Sequence, residues 1–187
     1  VGSGAGGYDI TAPCVAYSEL NGVNHDNTIY YPDSVAGVFN GAEQIAFAGW
    51  WRCSRLSSDQ GQHQILFILN TNHNQITGMR LRVDTDDEIK FDTRTAYPAD
   101  SLQIIESGVT VVPGETYFIY AEADITNDEL KISINGSPLT TLAVTFNNAT
   151  FSTNGGMNLW YANSFFGMDT GPCYGEAQHW AFWVDET

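Results

Sequence analysis

Residues 114–136 read Gly-Glu-Thr-Tyr-Phe-Ile-Tyr-Ala-Glu-Ala-Asp-Ile-Thr-Asn-Asp-Glu-Leu-Lys-Ile-Ser-Ile-Asn-Gly. Two alternating runs are joined here by a short polar connection. In the first, Tyr117, Ile119, Ala121 and Ala123 fall on one side, and Phe118, Tyr120, Glu122 and Asp124 on the other. In the second, Leu130, Ile132 and Ile134 alternate with Lys131, Ser133 and Asn135. Successive side chains of a strand point to opposite faces, so a period of two marks two half-buried strands. Thr126-Asn127-Asp128-Glu129 supplies the turn chemistry between them, and Asn135-Gly136 closes the run with a tight-turn dipeptide.

The same grammar extends in both directions. Ile45 to Arg55 predicts a strand with Ile45, Phe47, Gly49, Trp51 and Cys53 on one face, and Gln64 to Asn70 is apolar on both faces, as a covered central strand is. Met79, Leu81 and Val83 alternate with Arg80, Arg82 and Asp84, then Ile89 and Phe91 with Lys90 and Asp92, which predicts a second hairpin about Thr85-Asp86-Asp87-Glu88. Further strands are expected at Cys14–Leu20, Thr28–Tyr31, Val35–Phe39, within Leu102–Val112 (one or two), at Leu139–Phe146, Met157–Tyr161 and around Trp180, Phe182 and Val184. Loops are expected over Tyr97–Asp100 and over residues 162–174. Roughly a dozen short strands separated by turn residues are the pattern of an antiparallel two-sheet sandwich. No long stretch repeats apolar residues at helical spacing, so the fold class is all-β.

The 187 residues suit one domain, with 43% hydrophobic and 16% charged residues to build a core. Val1-Gly-Ser-Gly-Ala-Gly-Gly7 reads as a linker or processed end, so residues 1–13 are taken as a Gly-rich lead and 14–187 as the domain. Twenty-two acidic against seven basic residues give a formal charge of −15. That excludes nucleic acid as a partner, since phosphate neutralisation needs Lys and Arg, and disfavours anionic lipid. No apolar run is long enough to insert into a membrane. The charge suits solubility in an extracellular or saline medium. Of the three cysteines, Cys14 and Cys173 lie near the two ends and can bridge if the first and last strands are neighbours, whereas Cys53, in phase with Phe47 and Trp51, is expected as a buried free thiol.

A strand ending near Trp51, the hairpin of 114–136 and a final Gly175-Glu-Ala-Gln-His-Trp-Ala-Phe182 resemble, in that order along the chain, laminin-G-like domains within the concanavalin A-like jelly rolls. The resemblance covers about residues 35–185, with Gln178 and His179 in place of the family's acidic pair. It implies a concanavalin A-like jelly roll. The group includes glycoside hydrolases whose Glu-x-Asp-x-x-Glu strand supplies nucleophile and acid. Here the strand reads Glu122-Ala-Asp124-Ile-Thr-Asn127, and the amide of Asn127 serves neither role, so no catalytic residue is assigned.

The acidic turn Asp84-Thr-Asp-Asp-Glu88 looks like half a calcium loop, but it lacks the central Gly and distal Glu of the helix-flanked kind and reads better as a solvated hairpin turn. Asp169, in the late loop, is a second place for calcium, because family members that bind it do so at loop rims. No cofactor is otherwise implied. The aromatics point to recognition. Trp50, Phe118 and Tyr120 face away from the core, either packed under a loop or forming a stacking platform for sugars or a partner protein. In the late loop Phe165 and Phe166 lie among Asn163, Ser164 and Asp169, either buried as an anchor of the loop or forming an apolar and polar mixture suited to glycan. The sequence therefore suggests a non-catalytic recognition module, extracellular or on an exposed surface, that binds glycan or a glycan-bearing surface. The alternative is a structural surface component, such as a virion decoration or appendage protein, whose same face meets neighbouring copies.

Overall fold

The structure, a computed structural model, describes residues 8–10, 15–16, 29–31, 41–69, 79–94, 102–146, 157–159, 170–171 and 173–185. The strands are β1 (Tyr8–Ile10), β2 (Val15–Ala16), β3 (Ile29–Tyr31), β4 (Gln44–Cys53), β5 (His63–Leu69), β6 (Met79–Val83) and β7 (Glu88–Arg94). They continue with β8 (Leu102–Thr110), β9 (Thr116–Asp124), β10 (Glu129–Ile134), β11 (Thr140–Ala143), β12 (Met157–Leu159), β13 (Thr170–Gly171) and β14 (Gly175–Val184). The first sheet runs β1-β14-β4-β9-β10-β11, with β2 also on β14; the second runs β3-β12-β5-β6-β7-β8, with β13 on β5. The described residues contain no helix. Two sheets face each other across one core, as a jelly roll requires.

The hairpin of β9 and β10 pairs Ala123 with Leu130, Ala121 with Ile132 and Ile119 with Ile134, all inward and buried. A one-residue slip would send that whole set to solvent, so the alternation fixes the register. The core is aromatic at its centre. The Phe47 ring lies 4.4 Å from Phe67, 5.4 Å from Phe91 and 6.1 Å from Phe182, bringing β4, β5, β7 and β14 together. Trp180 enters through a bulge. Between Gln178 and Ala181 strand β14 spends one residue more than β4 opposite it. The indole then covers Gly49, where a Cβ would stand 2.3 Å from the ring, which is why this inward position of β4 is glycine.

Several expectations are corrected. Residues 8–10, inside the expected lead, form β1 and pair with Trp180, Ala181 and Phe182 of the last strand. Backbone donors and acceptors on the edge of β14 need partners, and a strand satisfies them whatever glycines precede it. The long loop 162–174 contains β13, and its pairing with β5 is parallel, the one departure from an antiparallel sandwich among the described strands. Residues 102–110 form one strand, within the one or two expected there, with Gly108 at φ 72° beside a register shift against β7. The expected strand at Val35–Phe39, the loop at Tyr97–Asp100 and Cys14 lie outside the described residues. Cys53 and Cys173 are both buried free thiols, and burial pushes the Cys53 pKa up to about 11.

Candidate functional site

The outward positions of the first sheet form rows across its strands. Trp50 of β4 pairs with Phe118 of β9, Ala48 with Tyr120, Ala46 with Glu122 and Gln44 with Asp124. On the other flank of β4, Ala181 stands beside Ala48 and Trp183 beside Ala46, while Lys131 of β10 stands beside Glu122. Trp50 is 43% exposed, and its ring centroid lies 5.1 Å from that of Phe118. Phe118, Tyr120 and Trp183 are half-buried. The alanines between them rise little from the sheet, so aromatic walls stand around a low floor. The rows of Trp50 and Trp183 are separated by four residues of β4, about 13 Å along the strand at ~3.3 Å per residue.

Polar groups close one end of this strip. The Glu122 carboxylate is buried and accepts from Gln44 Nε2 at 2.8 Å, from Lys131 Nζ at 2.7 Å and from the Tyr120 hydroxyl. Burial by itself would raise the Glu122 pKa, but these donors outweigh it and hold the carboxyl below its ordinary 4.5. Asp124 accepts the Asn127 N–H at 3.0 Å and Nδ2 at 2.8 Å, and so caps the turn into β10. Both carboxylates of the hydrolase-like strand are thus engaged in holding Tyr120, Lys131 and the turn. Asn127 is a turn residue, as the hairpin reading expects.

At the opposite end the strip runs into a cavity of about 270 Å³ lined by Arg52, Cys53, Ser54, Gly114, Gly175 and Glu176. Arg52 follows Trp50 on the same face of β4 and pairs with Glu176 of β14. Its Nε donates to the Gly114 carbonyl at 3.1 Å, and its Nη1 lies 3.7 Å from Glu176 Oε2. Both side chains are substantially exposed, 52% and 42%.

A second polar group lies on the outer face of the other sheet. Arg80 and Arg82, which alternate with the apolar residues of β6, are buried, and both bond to buried Asp92 of β7. Arg82 reaches Asp84 at 2.6 Å, and His63 Nδ1 lies 2.6 Å from Asp84 and 3.0 Å from Arg82 Nη1. Lys90 bonds Asp86 at 2.6 Å and lies 3.2 Å from Asp84. Asp87 is buried and accepts from Ser58 N at 2.9 Å. The acidic turn is therefore not wholly solvated: its carboxylates meet cations and backbone donors from β6, β7 and the 57–61 turn. No three His, Cys, Asp or Glu side chains converge as metal ligands among the described residues.

These contacts set a pH dependence. Burial lowers the His63 pKa below 6.5, reinforced by Arg82 and Arg80 against the pull of Asp84. For Asp84, burial raises the pKa but bonds from Arg82, the Thr85 N–H and Lys90 hold it well below 3.8. In both cases the unfolded chain takes up its proton at a higher pH than the folded one, so stability is lost as pH falls. The melting temperature is expected to drop in two stages, first below about pH 6.5 as the His63 share is lost, then below about pH 4.5 as carboxylates protonate. Thermal melts from neutral to acid pH check this, and in His63→Gln the first stage should be absent.

Of the residues singled out from sequence, Trp50, Phe118 and Tyr120 come together on one face. Asn163, Phe165, Phe166 and Asp169 lie outside the described residues. Trp183, Arg52 and Glu176 were missed. Alternation about Trp180 and Phe182 puts Trp183 on the outer side, and that signal was available; the pairing of Arg52 with Glu176 depends on register across the chain.

No protein-family model matches the sequence, and no curated protein matches it. Solved structures do. The chain is similar to the CBM40 of a Ruminococcus gnavus IT-sialidase bound to α2,3 sialyllactose, at 17% identity over 92% of this chain and 89% of that one, with a TM-score of 0.61. It is similar to domain 4 of an extracellular GH43 arabinanase from Geobacillus stearothermophilus in complex with arabinotriose, at 16% identity over 87% of this chain and 69% of that one, TM-score 0.61. It is also similar to domains LG4-5 of the mouse laminin α1 chain, at 9% identity over 94% of this chain and 45% of that one, TM-score 0.63. Likeness at these identities is one of fold. With its two facing sheets, its central hairpin and these neighbours, the chain is a concanavalin A-like jelly roll of the kind that laminin-G-like domains share.

Proposed function

We propose that this protein is a non-catalytic carbohydrate-recognition module, extracellular or on an exposed surface, that binds glycan on the outer face of the β14-β4-β9-β10 sheet. The observation that carries it is the exposed Trp50 ring against Phe118, continued by Tyr120 and Trp183 around an alanine floor and bounded by polar groups at both ends. Sugars present apolar C–H faces and polar rims, and flat aromatic surface with converging donors and acceptors complements both. Two of the structural neighbours were solved with oligosaccharides, sialyllactose and arabinotriose, which supports glycan as the ligand class. The engagement of Glu122 and Asp124 in fixed hydrogen bonds supports binding without hydrolysis.

The test is a glycan array followed by calorimetry on the best ligand. Trp50→Ala and Phe118→Ala are each expected to weaken binding about tenfold, the worth of about 1.4 kcal/mol of stacking. The melting temperature should stay near that of the parent, and binding should survive EDTA. No sugar bound by the parent, together with a stable oligomer that Trp50→Ala breaks, would replace this reading with assembly through the same face.

A further inference from the structure

Resting on the glycan reading, we infer that the strip takes a neutral, hydroxyl-rich saccharide and rejects acidic sugars, with Arg52 and Glu176 reading its hydroxyls in the cavity beyond Trp50. The first argument is donor and acceptor matching. A guanidinium only donates and a carboxylate only accepts, whereas a sugar hydroxyl does both. Arg52 Nη1 and Glu176 Oε2 stand 3.7 Å apart, too far for a hydrogen bond to each other, and both are open to solvent beside the cavity. Neighbouring hydroxyls of one ring can accept from Arg52 and donate to Glu176. A sugar carboxylate can satisfy Arg52 but then faces Glu176 with a like charge.

The second argument is the census of cations. The chain has 7 Lys and Arg residues in all. Arg80, Arg82, Lys90 and Arg94 belong to strands of the other sheet. Arg55 lies over the Tyr174 ring at 5.1 Å. Only Arg52 and Lys131 remain for the strands of this face. Lys131 Nζ is surrounded by Glu122 at 2.7 Å, Glu129 at 3.3 Å and Asp124 at 3.4 Å. The face therefore has no Lys or Arg without a carboxylate beside it to hold an anionic sugar. The formal charge of −15 repels such a ligand before contact.

The experiment is an array in which neutral oligosaccharides, lactose and arabinotriose among them, are printed beside sialylated or uronate-bearing counterparts, with sialyllactose as the partner of lactose. Binding is expected only to neutral members, each acidic counterpart being at least tenfold weaker. On the best neutral ligand, Arg52→Ala and the shape-preserving Glu176→Gln should each weaken binding about tenfold, as charged hydrogen bonds do. Acidic sugars bound as well as or better than neutral ones would overturn this inference and leave the glycan reading standing. Unchanged affinity in Glu176→Gln and Arg52→Ala would remove the pair from the site. An array blank for every sugar would end both.

Discussion

Asp92→Ala is expected to destabilise the protein by about 3–5 kcal/mol, the cost of leaving buried charge without its partner. Asp92 receives Arg80 through two parallel bonds, Nε to Oδ1 at 3.0 Å and Nη2 to Oδ2 at 2.9 Å, and Arg82 Nε at 2.6 Å. Arg80 is 1% exposed and Arg82 2%, so water cannot replace the carboxylate. Arg82 would keep Asp84, but Arg80 would lose this bidentate carboxylate. A domain stable by about 5–15 kcal/mol would lose a large part of its margin. Urea unfolding at neutral pH reads this as a lower midpoint with an unchanged slope. Asp92→Asn, which retains an acceptor but not the charge, should fall between. A loss of less than about 1 kcal/mol in Asp92→Ala would mean that the arginines find solvent and that the face is open.

Gly175→Ala is expected to cost about 2–5 kcal/mol, from backbone strain and overpacking together. Gly175 begins β14 opposite Cys53, with a φ of 153° that residues bearing a Cβ rarely adopt. A Cβ there would stand 2.0 Å from the Arg52 carbonyl oxygen and 2.7 Å from Trp51 Nε1. The carbonyl belongs to β4 and cannot retreat without parting the two strands. Gly49→Ala is the comparison: its obstacle is the Trp180 side chain, which can shift more readily than backbone, so a smaller loss is expected there. Paired thermal melts rank the two. If Gly175→Ala melts as the parent does, the close approach of β14 to β4 at this point is wrong.

The central hairpin was legible because its information is local. Inward Ile119, Ala121, Ala123, Leu130, Ile132 and Ile134, a polar turn and Asn135-Gly136 all lie within one short stretch, and the pairing register follows them. Outward Trp50, Phe118 and Tyr120 were legible for the same reason. The first strand was not, since nothing in Tyr8-Asp9-Ile10 announces the unpaired edge of β14 that it joins. Arg80 and Arg82 alternate with apolar residues as a solvated side would, and only pairing with β7 puts Asp92 against both.

Alone, the sequence determined the fold class, the inward face of each clear strand, and the excess of acidic over basic charge, because alternation and composition are properties of the chain itself. The tertiary structure decided the rest. Trp183 joins the aromatic strip through the β14–β4 register, including a bulge that alternation cannot foresee. The cavity gathers Arg52, Gly114 and Glu176 from three separate segments. The worth of a charge, whether solvated, paired or poised for a ligand, depends on what other parts of the chain bring beside it.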